Sequence, residues 1–296
     1  MPQHSDQNMK FGIIRDALVF EGTGKDIVRY LHNRLTNDIR GLKFGQTVRA
    51  AALTPQGKIE AELAVVSTGP DQYLLVTDGG DPTVVEKALT RFVVADRVSI
   101  SNRTDSYSLL HFYAPVPQEL STSGYLLPHQ RSVLLGTDLL ISKDQRGATT
   151  ELLTSSGWQN LSHEEQRTLR YQAGIPSYPD ELYGVLLPEA DLPHLVSFQK
   201  GCYAGQEVVE KIAARGRPPR LIRFGSVATD APLAVGDPIV RGSDGQAVGT
   251  IHGSLQLPSE KRQLICVHVR NDSTLERDSL MTQGAPITLV RNGGSR

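Results

Sequence analysis

The segment Lys200-Gly201-Cys202-Tyr203-Ala204-Gly205-Gln206-Glu207 sets a thiol two residues after an ammonium and just ahead of an expected helix. Cys202 is one of only two cysteines in 296 residues. The helix follows from Val208, Val209, Ile212 and Ala213 on one face, with Gly216 as its stop. A cysteine near the positive end of a helix dipole, with a lysine close by, is drawn toward the thiolate, the form that attacks electrophiles and ligates metals. Gln206 and Glu207 fall in the first turn and are candidate hydrogen-bonding partners, although Glu207 also suits the helix dipole with no further role. Gly201 and Gly205 let the backbone bend freely or approach a ligand closely. The competing reading is a tucked-in structural thiol with glycines that only shape a turn, and local physics leaves both open.

From Lys200 to Arg220, five basic residues (Lys200, Lys211, Arg215, Arg217, Arg220) face two acids (Glu207, Glu210). That balance suits an anionic ligand, and it also suits a solvated face. The second cysteine, Cys266, lies in Leu264-Ile265-Cys266-Val267-His268-Val269, an expected strand, where a small buried hydrophobe is the plain reading.

Other catalytic and metal-binding motifs are incomplete in this chain. Gly22-Thr23-Gly24-Lys25-Asp26 fails as a phosphate loop, because Val19 stands where the first glycine belongs and Asp26 replaces the magnesium-holding hydroxyl. His163-Glu164-Glu165-Gln166-Arg167 begins like a zinc-protease helix, but Arg167 occupies the place of the second histidine. Cys202 and Cys266 lack C-x-x-C spacing and the eight histidines are scattered, so no dedicated metal site is expected. The nucleophile elbow G-x-S-x-G is absent.

The elements that must hold the cysteine loop can be read from periodicity. Ile27, Val28, Leu31 and Leu35 predict a helix over 25–37. Strands are expected over 47–53, 59–66 and 72–77, the first two joined by Thr54-Pro55-Gln56-Gly57. Asp81-Pro82 opens a second helix. Further strands are expected over 97–100, 107–113 and 132–141. Ser162-x-x-Glu165 is a capping box for a helix ending near Gly174. After the Pro-rich connector 215–220, short strands alternate with turns; Ile239-Val240 and Ala247-Val248 flank a hairpin turn at Gly242-Ser243-Asp244-Gly245. Strands grouped with strands favour an α+β fold with antiparallel sheets. The expected division is a flexible tail over 1–10, an α+β region of two lobes over 11–215, and a small β-barrel over 216–296. Hydrophobic content of 39% and a net charge of −1 do not advertise nucleic-acid or membrane binding. The polar start does not read as a secretory or organelle leader, so the cytoplasm is the expected location.

The segment 200–211 closely resembles the signature K-G-C-[YF]-x-G-Q-E-x-x-x-[KR] of the YgfZ family, folate-binding relatives of the glycine-cleavage T-protein. Lys200, Gly201, Cys202, Tyr203, Gly205, Gln206, Glu207 and Lys211 match every fixed position. Leu35-Thr36-Asn37-Asp38 resembles the family's early T-x-D, and Gly57-Lys58 sits in a stretch similar to its following hairpin. Gly174-Ile175-Pro176, Leu187-Pro188-Glu189 and Ser197-Phe198 fit the lead-in to the signature; Gly216 and Arg220 fit its exit. The resemblance implies three T-protein-like lobes around a folate-sized hole, with tetrahydrofolate as ligand. It also implies a role in assembling or repairing iron–sulfur clusters of client enzymes, through which tRNA modification is affected indirectly. Cys202 inherits the functional-thiol role, and Lys200, by its charge, would be the thiolate stabiliser. Lys211, Arg217 and Arg220 would face an anionic partner, and Asp38 and Glu62 would serve the cofactor. Folate, client proteins and the cluster assembly machinery are the expected partners of a monomer, with no direct nucleic-acid or membrane contact. The T-protein's catalytic G-G-I-x-D-D is here Gly57-Lys58-Ile59-Glu60-Ala61-Glu62, and its pterin-binding glutamate stretch has no counterpart near 147–153. A tetrahydrofolate-dependent aminomethyltransferase or demethylase, and a protein-interaction module without folate chemistry, are the alternatives.

Overall fold

The computed structural model describes residues 9–134, 136–257, 260–272 and 279–290. It has two five-stranded sheets packed face to face, with a closed six-stranded barrel beyond them. The first sheet runs in the order β3 (Thr47–Leu53), β4 (Ile59–Gly69), β5 (Gln72–Thr77), β2 (Leu18–Thr23) and β6 (Ser99–Asn102), all antiparallel. The second runs β10 (Gln159–Leu161), β1 (Lys10–Ile14), β7 (Tyr107–Phe112), β9 (Thr137–Ser142), β8 (Tyr125–Pro128). Only its β1–β10 pair is parallel.

Period-two alternation in β4 and β5 builds the layers. Leu63, Val65 and Leu75 turn toward helices α1 (Ile27–Arg34) and α2 (Pro82–Thr90). Ala64, Val66, Leu74 and Val76 turn the other way and meet Leu109, Leu127 and Leu140 of the second sheet. Both faces are therefore dry, which is why these strands read as continuous apolar runs. Each such leucine or valine contributes about 1.5–3 kcal/mol on burial. The outer face of the second sheet is covered by helix α3 (Arg146–Ser155) and Trp158, through Phe11, Phe112 and Leu153.

Helix α4 (His163–Ala173) joins the second sheet to the barrel. Its capping box is complete, and Gly174 ends it at φ 72°. Tyr171 meets Phe224 edge-on at 5.2 Å, while Arg170 is clamped by the buried Glu181. The barrel closes in the order β11 (Arg220–Val227), β14 (Arg262–Arg270), β13 (Ala247–Leu257), β12 (Pro238–Arg241), β15 (Leu280–Thr282), β16 (Ala285–Leu289), with β16 returning to β11. Helix α5 (Gln206–Ala214) precedes it.

The expected strand over 132–141 is corrected to Thr137–Ser142. Ahead of it Val133 and Leu134 are exposed, and the backbone is held instead by the Ser132 hydroxyl, which accepts from Leu134 N–H (3.1 Å). The expected tail is also shorter at its inner end. Lys10 opens β1, and its carbonyl accepts from Tyr113 N–H at 2.9 Å; residues 1–8 lie outside the described residues.

Candidate functional site

The cysteine loop is pinned on both sides and open at its centre. Upstream, Thr36 bonds the chain on either side: its hydroxyl donates to Leu195 O and accepts from Ala51 N–H, and its carbonyl takes Ser197 N–H. Next, the Lys200 ammonium donates to His32 O and Leu35 O, the carbonyls left over at the end of α1. It also lies 4.8 Å from the centre of the Tyr203 ring. Burial brings the Lys200 ammonium down to about 8, with Arg40 pushing the same way and Asp38 and Cys202 opposing. Tyr203 is 8% exposed and belongs to the α1–α2 core. Burial pushes its phenol up to about 12, and its hydroxyl has no hydrogen-bond partner among the described residues.

Downstream, two glycines meet. Gly205 has φ 85°, and a Cβ there would stand 2.6 Å from Thr54 O and 3.2 Å from Gly57 Cα. Gly57 has φ 78° and faces Val208 of α5. The β3–β4 turn can thus seat the start of α5 only because neither residue carries a side chain. Between these anchors Cys202 is exposed. Cys266 is fully buried in the barrel, its thiol pushed up by desolvation.

The neighbours of Cys202 act mostly on the frame. Gln206 accepts from Tyr203 N–H (3.2 Å) and donates to Glu210 (2.6 Å), so it closes the first turn of α5. Glu207, Lys211, Arg217 and Arg220 are exposed. Gly201 lies against His32: a Cβ on it would come 3.8 Å from Nε2. His32 is 2% exposed, and burial followed by the Lys200 charge lowers its imidazole from the usual value. Asp38 Oδ1 approaches His32 Nδ1 at 3.1 Å, off the line of an aligned hydrogen bond, and accepts from Arg40 N–H at 2.9 Å. Asp38 therefore belongs to the cysteine loop's surroundings.

Glu62 belongs elsewhere. It lines a cavity of about 640 Å³ where the three lobes meet, walled by β3 and β4, by the loop after β8, by the segment after α4, and by β11. The size suits a small organic ligand. Arg49 reaches Glu62 with Nε at 2.7 Å. Desolvation raises the Glu62 carboxyl and Arg49 pulls it back. Apolar wall comes from Ile175, Leu182 and Ile222, and the rim carries His194 and Arg223, the latter 3.4 Å from Asp191. Cys202 does not line this cavity. Asn37 links the two regions, its Nδ2 donating to both Arg49 O and His194 O at 2.9 Å.

Behind the cavity wall Arg131 clamps Asp78 (Nη2 at 2.7 Å) and Asp138 (Nη2 at 2.8 Å). His111 and His129 complete the ring around Asp138, at 2.7 and 3.0 Å. Burial, then Arg131, takes the His129 imidazole down to about 3. Asp78, His129 and Asp138 bring their ligand atoms within 4.8 Å of one another, but the Arg131 guanidinium already bridges the two carboxylates where a cation would sit. Arg49, His129, His194 and Arg223 escaped the sequence reading, as single charges at unrelated positions that only tertiary folding brings to one cavity.

No protein-family model matches the chain. A "tRNA-modifying protein YgfZ" from Klebsiella pneumoniae strain 342 is 27% identical over 290 residues, covering 87% of this chain and 84% of the relative. An aminomethyltransferase from Lysinibacillus sphaericus strain C3-41 is 23% identical over 276 residues, covering 82% and 73%. Among solved structures, the glycine cleavage system aminomethyltransferase T from Bartonella henselae aligns with a TM-score of 0.78. It shares 16% identity over 96% of this chain and 85% of that one, a likeness of fold.

Proposed function

We propose that the chain, similar to YgfZ proteins over 87% of its length and to an aminomethyltransferase in fold, is a YgfZ-family protein that holds a reduced folate in the three-lobe cavity and serves iron–sulfur client proteins through the Cys202 loop. The observation that carries this reading is an exposed sulfur on a rigidly anchored loop. A thiol needed only for packing would be buried, as Cys266 is. The iron–sulfur cluster of the client is the cargo, and Cys202 is the group that would meet it.

The cavity's chemistry fits tetrahydrofolate. Mixed apolar walls with a few fixed polar groups suit a flat heteroaromatic ring. Arg49 and Glu62 would meet the polar edge of the pterin, and His194 with Arg223 would meet the first glutamate. When bound, the folate supplies one-carbon carrying capacity. Aminomethyl transfer is disfavoured by the protein's own groups: Ala61 has no acid, and Glu62 is tied to Arg49. Effects on tRNA modification would be indirect, through client enzymes.

Two measurements test the two halves. Calorimetry with monoglutamyl tetrahydrofolate should show binding that the double substitution Arg49→Met/Glu62→Leu abolishes. Removing both charges together keeps the fold, because a buried pair replaced by apolar groups costs little net stability. No heat at millimolar ligand would remove the folate half. In a deletion strain, Cys202→Ala should fail to restore cluster content of the clients; full restoration would remove the thiol half.

A further inference from the structure

A second cavity, of about 280 Å³, has the Arg131–Asp78 pair in its own lining, and Ser177 is the single described residue that it shares with the larger one. One wall is a face of α4: His163, Gln166, Arg167 and Arg170 recur at i, i+3, i+4 and i+7, and all four line it. That spacing ordinarily carries the apolar stripe that packs a helix, and here it carries polar side chains. Most of them are engaged within the fold. Gln166 Nε2 donates to Leu161 O (3.2 Å) and Ile13 O (3.4 Å). Arg170 holds Glu181 and donates to Ile175 O (3.0 Å). Ser177 Oγ donates to Asp78 (3.2 Å), and Arg131 has its two aspartates. Two donors are left over. Tyr113 is 3% exposed and lines the cavity, yet its hydroxyl has no hydrogen-bond partner among the described residues. Burial pushes its phenol up to about 12, so the hydroxyl keeps its proton. Arg167 Nε is likewise enclosed and without a partner, and its guanidinium makes no ion pair among the described residues. Buried donors without an acceptor are uncommon in folded proteins.

We infer that this cavity binds a small organic monocarboxylate, whose carboxylate accepts from the Tyr113 hydroxyl and Arg167 Nε–H. Neither the folate reading nor the Cys202 loop enters the inference. Two unused donors call for an acceptor, and a guanidinium beside a neutral hydroxyl favours an ionised one. The charge count sets the number of negative charges at one. Arg131 and Arg170 have carboxylate partners, and Arg15 is matched in charge by its chain neighbour Asp16, which leaves Arg167 as the surplus cation. Asp16 and Asp180 are exposed and line the same cavity, so a second negative charge on the ligand would meet repulsion. Ile13, Ile14 and Tyr178 supply apolar wall for the rest of the molecule. The volume stands at the low end of ligand pockets, which start at about 300 Å³, and excludes a nucleotide.

The test titrates the full chain with sodium benzoate and sodium hexanoate, followed by protein amide chemical shifts. Saturable millimolar binding of at least one acid is expected, with benzamide, which has the outline of benzoate and no charge, about tenfold weaker. Tyr113→Phe and Arg167→Met should each weaken binding about tenfold, the loss of one hydrogen bond to a charged group. Tyr113→Phe should also leave the thermal unfolding midpoint unchanged or higher, because its hydroxyl bonds nothing in the fold. A clear fall would give that hydroxyl a structural duty and overturn the inference. Absence of saturable binding by both acids, or equal binding of benzamide, would overturn it. Inorganic phosphate held more tightly than either acid would overturn the monocarboxylate assignment. Binding unchanged by both substitutions would overturn it as well, and its loss in Arg49→Met/Glu62→Leu would move the acid to the larger cavity.

Discussion

Gly201 and Gly205 sit four residues apart in one loop, yet alanine at each should have opposite consequences. At Gly205 the backbone is left-handed (φ 85°), and a Cβ would be 2.6 Å from Thr54 O and 3.1 Å from Leu53 Cβ. The first effect costs about 1–2 kcal/mol for an L-residue. The second forces the β3–β4 turn away from α5, and overpacking of that kind costs about 1–3 kcal/mol. Gly205→Ala should therefore lose roughly 2–5 kcal/mol. At Gly201 the nearest atom to a Cβ is His32 Nε2 at 3.8 Å, ordinary contact distance, and φ is not left-handed. Gly201→Ala should change stability by less than about 0.5 kcal/mol. Urea unfolding followed by circular dichroism reads both, with limited proteolysis around 200–206 to separate local detachment from global loss. Trp158 fluorescence is a poor substitute, since that ring lies in the core of the second sheet. A Gly205→Ala protein as stable and as protease-resistant as the parent, or a Gly201→Ala protein equally damaged, would refute the account of how the loop is seated.

The native protein should react with a thiol reagent at one cysteine, and at two after denaturation; two fast thiols in the native state would contradict the buried placement of Cys266. Arg49→Met alone should cost about 3–5 kcal/mol by stranding the Glu62 carboxylate, whereas Arg49→Met/Glu62→Leu should recover most of it; equal losses in equilibrium denaturation would deny the coupling. His129 is held at about 3 in the fold against about 6.5 when unfolded. A lowered base binds its proton more readily in the unfolded chain, so its contribution is complete above about 6.5 and is lost as pH falls toward 3. Asp78 and Asp138, lowered in the fold by Arg131, add to that loss below about 4. His129→Asn should flatten the stability profile between pH 6.5 and 4, and an unchanged slope there would count against the assignment.

Strands with strong alternation and a clear turn were legible to the residue: β3 and β5 fall where the pattern puts them, and Asp81 caps α2 by accepting from Thr83 and Val84 N–H. Helix α3 was not, because only Thr149 and Leu153 of its ten residues are buried, too few to leave a stripe. β1 and β2 are short apolar runs broken by Arg15-Asp16, and they become strands only through partners some 50–150 residues away. At the site, the spacing of Lys200 to Lys211 singled out the loop as a candidate, and the structure leaves its thiol exposed. Local reasoning assigned Lys200 to the sulfur alone. Its hydrogen bonds go to α1, whose last carbonyls the sequence could not show to be within reach.

That attachment gives the loop a built-in order of events. Lys200 closes a span of 165 residues to Leu35 and 168 to His32. During synthesis α1 emerges long before its cap exists, because Lys200 follows the last turn of that helix by some 165 residues. The anchored, exposed placement of the sulfur is therefore a late product of maturation. A truncated or half-assembled chain would carry the same twelve residues and display them to no purpose.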